Sequence, residues 1–101
     1  MKKKFICQVN ELLEKKTIIK YYEEFRDELI LFKNTEDEIK CFSSVCPHLA
    51  GEVIYDNSEL KCKWHGLKFD KSGKSTNGNV QLYLNEYNVE ITDNKIYVQE
   101  K

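Results

Sequence analysis

Two cysteines and two histidines offer this chain its chemistry: Cys46 and His48 in CPH, then Cys62 and His65 in CKWH, with 13 residues between His48 and Cys62. Each short segment supplies one thiolate and one imidazole. Such a pair reaches one small inorganic centre only where the backbone bends around it. Both segments hold turn-forming residues, Pro47 and Gly51 in the first and Gly66 in the second. A Cys2His2 set suits tetrahedral zinc. The spacing disfavours a structural zinc module, because zinc sites usually pair like with like, whereas thiol and imidazole are mixed here within each segment. A cysteine-histidine hydrolase fits less well, since two equivalent pairs exceed what one nucleophile and its base require.

The elements that must position these residues read as strands. FICQV at 5–9, TIIKYY at 17–22, ELILFK at 28–33 and EIKCFS at 38–43 are short, rich in β-branched and aromatic residues, and separated by polar turns such as NTED. After the second pair come LKFD, the turn KSGK, then VQLYL at 80–84, YNVEI at 87–91 and KIYVQ at 95–99, with TDN between the last two. Alternation puts Tyr87, Val89 and Ile91 on one side of their strand and Ile96 and Val98 on one side of the next, so all five are expected in the core. The one helical segment, NELLEKK, with Asn10 as its cap, is a single turn and too short to matter for the fold. Many short strands with close turns describe an all-β sandwich or small barrel.

A length of 101 residues fits one domain, here 1–101, with one core and one site. With 16 basic and 17 acidic residues, the chain lacks the basic surplus of a nucleic-acid binder. The start, MKKKFICQV, imitates a secretory signal but its apolar run is too short, and no run approaches the roughly 18 apolar residues of a membrane span. The expectation is a cytoplasmic protein with no membrane partner. Thiols are kept reduced there, so clustered Cys and His read as metal ligands before disulfides.

The segments CPHLAG and CKWHG, in this order and followed by HGLKFD and SGK, resemble the paired signature of Rieske iron-sulfur proteins. VNEL near the start and the closing strands extend the likeness more loosely over most of the chain. The resemblance implies the Rieske fold: a base of antiparallel sheets with a small cluster-binding subdomain made of two loops, 46–51 and 62–67. It implies one 2Fe-2S cluster, with Cys46 and Cys62 on one iron and His48 and His65 on the other. Two ferric ions, two sulfides and two thiolates sum to a formally neutral oxidised cluster, where four cysteines would leave two negative charges. Reduction then meets less repulsion, on a scale of roughly −150 to +300 mV for Rieske centres.

High-potential members of the family carry a disulfide between the two loops and hydroxyl donors to the cluster sulfurs. The corresponding positions here hold Gly51, Trp64, Leu67 and Phe69, which implies a potential close to the lower end of that range. The combination is similar to Rieske-type ferredoxins, soluble carriers that take electrons from a reductase and pass them to an oxygenase or other redox enzyme. A monomer is expected. The alternative is a Rieske small subunit of a larger reductase, nitrite-reductase-like, or of an oxygenase. No mononuclear iron site of two His and a carboxylate accompanies the motifs.

Two departures from the family pattern stand out. The interval between the loops is short, with the change placed at IYDNSE, and TNGN at 76–79 occupies the place of a proline-containing loop that covers the cluster in many relatives. Cys41 and Cys7 lie in strands away from ligand spacing and read as buried, inert thiols. Trp64 reads as filling beneath the loops, Leu49 and Leu67 as residues that exclude water, and Lys63 as an outward, partner-facing charge.

Overall fold

Strand β3 (Asp27–Lys33) buries four successive side chains, Leu29, Ile30, Leu31 and Phe32. Alternation sends Leu29 and Leu31 to one face and Ile30 and Phe32 to the other, so this strand needs cover on both sides. The computed structural model, which describes residues 3–47, 51–63, 66–78 and 81–101, provides it.

The other elements are β1 (Lys4–Gln8), α1 (Val9–Lys15), β2 (Thr17–Tyr22), β4 (Ile39–Ser43), β5 (Val53–Asp56), β6 (Glu59–Cys62), β7 (Lys68–Phe69), β8 (Glu86–Thr92) and β9 (Lys95–Glu100). A six-stranded antiparallel sheet runs β1-β9-β8-β4-β3-β2, and a three-stranded one runs β5-β6-β7. On one face of β3, Leu29 and Leu31 join Cys7, Leu12, Tyr22, Cys41, Tyr87, Ile96 and Val98 in the core of the large sheet. On the other, Ile30 and Phe32 join Phe42, Val53, Leu60, Leu67, Phe69 and Leu84, and this second core cements the small sheet to the large one. Phe32 stacks on Tyr55 of β5 with ring centroids 4.2 Å apart.

Most expected strands are present, but several details differ. The helix matters: α1 packs on β1, β2 and β3, and its Leu12 is fully buried. Its N-cap is Gln8, with no side-chain cap bond, and Asn10 lies inside the helix. The run expected as a strand at 80–84 forms none among its described residues. Gln81 to Leu84 instead face the turn at 73–75 through one isolated bridge, Lys74 with Tyr83, because the opposing segment is a bend too short for a ladder. Ile91 is 49% exposed, not core. β4 pairs with β8 only at Tyr87 and Glu86, so beyond them β8 has only β9 beside it among the described residues, and Ile91 is left exposed.

The segment between the ligand motifs is a hairpin. β5 and β6 pair from Val53↔Cys62 to Asp56↔Glu59, and Asn57 and Ser58 turn the chain with φ of 50° and 65°. Two left-handed residues in a two-residue loop match the twist of the flanking strands, which explains how so short an interval spans the distance between the motifs. Among the described residues, no helix is long and apolar enough to cross a membrane.

Candidate metal centre

The first loop springs from the end of β4. Ser44, fully buried, donates its main-chain N–H to the Glu28 carbonyl at 2.7 Å and its hydroxyl to the Glu28 carboxylate at 2.8 Å. One residue earlier, the Ser43 hydroxyl donates to Asp27 Oδ1 at 2.9 Å and accepts the Val45 N–H at 3.2 Å. Tyr87 donates its phenol to Asp27 Oδ2 at 2.6 Å. A carboxylate on β3 thus holds together the strand end that leads into Cys46 and the neighbouring β8.

From there the chain folds back on itself. Val45 bridges Glu52, the Val53 N–H donates to the Ser44 carbonyl at 2.8 Å, and the Cys46 N–H donates to the Gly51 carbonyl at 2.7 Å. The second loop repeats the device. The Cys62 N–H donates to the Leu67 carbonyl at 2.7 Å, so in both loops the cysteine closes on the carbonyl five residues further on. Gly66 donates back to the Cys62 carbonyl at 3.1 Å, and it does so at φ 68°, a conformation that glycine adopts without a Cβ penalty.

Cys46 and Cys62 are each 1% exposed and belong to one apolar cluster with Val53, Leu60, Leu67 and Phe69. Val53 links them: it is the cross-strand partner of Cys62 and bonds to the Ser44 carbonyl two residues before Cys46. The structure therefore brings the two thiols of the motifs to the roots of two matched loops, screened from water. None of the four cysteines is disulfide-bonded. Such a pair of enclosed sulfurs is the donor set that iron accepts in thiolate-held clusters, so these residues fit that group on its cysteine side. His48 and His65, with Leu49 and Trp64, lie outside the described residues.

Cys41 and Cys7 are in the other core, as inert thiols should be; burial pushes both thiols above their ordinary range, with Asp27 and Glu86 adding to the effect on Cys41. Leu67 is buried, as expected of a water-excluding residue, and Lys63 is exposed, 3.9 Å from Glu52. Asn77 lies in the TNGN segment singled out in the sequence, where its side chain was given no role of its own. Its Oδ1 accepts the Lys68 N–H at 2.8 Å and its Nδ2 donates to the Gly66 carbonyl at 3.1 Å. Its place after the second motif and its turn-forming Asn-Gly pair say nothing of what the side chain holds.

A family model described as the Rieske 2Fe-2S domain matches residues 2–88. The cytochrome b6-f complex iron-sulfur subunit of Chlorobaculum tepidum is 32% identical over 77 residues, covering 74% of this chain and 42% of the relative. The chain thus spans about two fifths of that relative's length. Among solved structures, the plasma membrane Rieske protein PetC3 of Synechocystis PCC 6803 matches with a TM-score of 0.80 at 20% identity, over 94% of this chain and 97% of that one. The ferredoxin of carbazole 1,9a-dioxygenase from Nocardioides aromaticivorans IC177 matches with a TM-score of 0.76 at 19% identity, over 97% and 99%. This chain belongs to the Rieske 2Fe-2S domain family, whose members are electron-transfer modules. Its cofactor is one 2Fe-2S cluster.

Proposed function

We propose that this chain is a single Rieske domain working as a soluble, low-potential one-electron carrier, with Cys46 and Cys62 on one iron and His48 and His65 on the other. The observation that carries the reading is the matched pair of loops, each rooted in a cysteine 1% exposed and each closed by that cysteine's own N–H. When bound, a 2Fe-2S cluster supplies reversible one-electron chemistry. The chain's part is to hold it on fixed backbone and to keep water from the sulfur side, which Val53, Leu60, Leu67 and Phe69 do around both thiols. Gly51, Leu67 and Phe69 bring no hydroxyl or other side-chain donor to the loops. The reduced cluster is then less stabilised, which supports a potential near the lower end of the Rieske range. The carrier acts in the cytoplasm as a monomer between a reductase and an oxygenase or other redox enzyme.

Anaerobic purification should give a brown protein whose reduced form has an EPR signal of low average g. His65→Ala should lose the cluster and Cys41→Ala keep it. A colourless, zinc-rich protein rejects the reading, and retention by His65→Ala reassigns the ligands. A stable large complex on size-exclusion chromatography of the native extract would favour a bound reductase or oxygenase subunit over the free carrier.

A further inference from the structure

The strand β7 that follows the second loop is only two residues long, and one edge of it is held by a segment that is not a strand. Thr76 donates its main-chain N–H to the Lys68 carbonyl at 2.8 Å. Asn77 then continues the pairing with its side chain, accepting the Lys68 N–H at 2.8 Å and donating to the Gly66 carbonyl at 3.1 Å. The two groups it takes flank Leu67, whose own carbonyl accepts the Cys62 N–H at 2.7 Å. A single side chain therefore grips the backbone on both sides of the residue that closes the ligand loop. The grip also requires close approach. Gly78 has φ 94°, and a Cβ there would lie 3.0 Å from Leu67 Cδ1. An amide does this with a side chain of that length where an ionised carboxylate cannot, since it must accept from one main-chain group and donate to the next.

We propose that Asn77 is a positioning residue for the second ligand loop, its carboxamide acting in place of a strand to fix Gly66 and Lys68 on either side of Leu67. The proposal rests on the Rieske reading of that loop. Both described partners of the Asn77 side chain are main-chain groups, so it acts through the backbone that follows Cys62.

The test uses the full chain with Asn77→Ala, Asn77→Asp and, as a control, Thr76→Val, which loses only a hydroxyl 3.4 Å from the Lys68 carbonyl. In Asn77→Ala the Lys68 amide should exchange with solvent roughly 10-fold faster, because its acceptor is gone, and iron should pass to a chelator faster than from the wild type. Asn77→Asp keeps an acceptor for Lys68 but sets a carboxylate against the Gly66 carbonyl. Lys68 should stay protected while the reduction potential falls, because a negative charge beside the loop opposes the added electron. Thr76→Val should match the wild type throughout. Unchanged Lys68 exchange in Asn77→Ala overturns the proposal, as does an Asn77→Asp potential equal to the wild-type value. Wild-type protein without a 2Fe-2S spectrum refutes the carrier reading instead, while Lys68 exchange, read on that same protein, still decides the clamp.

Discussion

The main-chain N–H of Lys63 donates to the carbonyl of Glu52 at 2.7 Å, and this bond ties the loop rooted at Cys62 to the closing arm of the loop rooted at Cys46. Their side chains, exposed and 3.9 Å apart, add little beside it. Lys63→Ala should therefore change stability by less than about 0.5 kcal/mol. Lys63→Pro, which removes the donor, should cost roughly 1–3 kcal/mol and speed cluster loss. Urea melts and the visible spectrum after chelator challenge check both; equal behaviour of the two variants would mean that the backbone bond does not couple the loops.

Phe42 and Gly73 form a second pair whose size match is tight. Phe42 is fully buried, and a Cβ on Gly73, at φ 86°, would meet its Cε1 at 2.9 Å and the Leu84 carbonyl at 3.2 Å. Gly73→Ala should cost about 1–3 kcal/mol, from overpacking and backbone strain together. Phe42→Ala should cost about 3–5 kcal/mol by leaving a cavity between the sheets. Because Phe42→Ala removes the clash partner, the double variant should lose less than the sum of the two, which a double-mutant cycle of urea melts measures.

The hairpin turn between the loops is open to improvement. Ser58 sits at φ 65°, where a side chain costs about 1–2 kcal/mol, and Asn57 before it is already the preferred partner for a two-residue turn of this hand. Ser58→Gly should raise stability by about 0.5–1 kcal/mol, the strain relief outweighing the added freedom of the unfolded chain. A thermal melt with no gain would show that the strain is relieved elsewhere.

That this hairpin is not legible in the sequence while β2 is legible to its ends follows from residue type and strand length. TIIKYY is β-branched or aromatic at five of its six positions, all but Lys20. VIYD and ELKC each have four residues; VIYD buries only Val53, and ELKC alternates, with Leu60 and Cys62 buried, but over too few residues to announce a strand. The reverse holds at 81–84, where alternation is present without a partner long enough to make a ladder. At the candidate site, Cys46 and Cys62 stand out in the sequence because thiol and imidazole at short, repeated spacing form a pattern visible from residue type alone. Asn77, Asp27 and Ser43 did not, since their work is done on main-chain groups or through partners far apart in sequence, which residue type alone does not reveal.

Core burial predicts opposite outcomes for two isoleucines that face each other in the β8–β9 ladder. Ile96 is fully buried and Ile91 is 49% exposed. Ile96→Ala should cost about 2–5 kcal/mol, and Ile91→Thr should stay within about 0.5 kcal/mol of the wild type. A large loss for Ile91→Thr in urea melts would place a covering surface over that end of β8.

The Tyr87 and Cys41 groups make the fold sensitive to alkali. Burial, then the hydrogen bond to Asp27, pushes the Tyr87 phenol above its ordinary value of 10.0, and burial pushes the Cys41 thiol above its ordinary 9.0. The folded chain then holds these protons more tightly than the unfolded one. Their contribution is complete below the ordinary values and is lost as pH rises past them, first for the thiol and then for the phenol. Urea melts from about pH 8 to about pH 11 should show stability declining through that window. Tyr87→Phe should cost about 1–3 kcal/mol at neutral pH, by leaving Asp27 a donor short, but it should decline less steeply above about pH 10, so that the two curves converge. Parallel curves would exclude the phenol as a source of the alkaline loss, and a wild-type curve flat to the end of the range would exclude both groups.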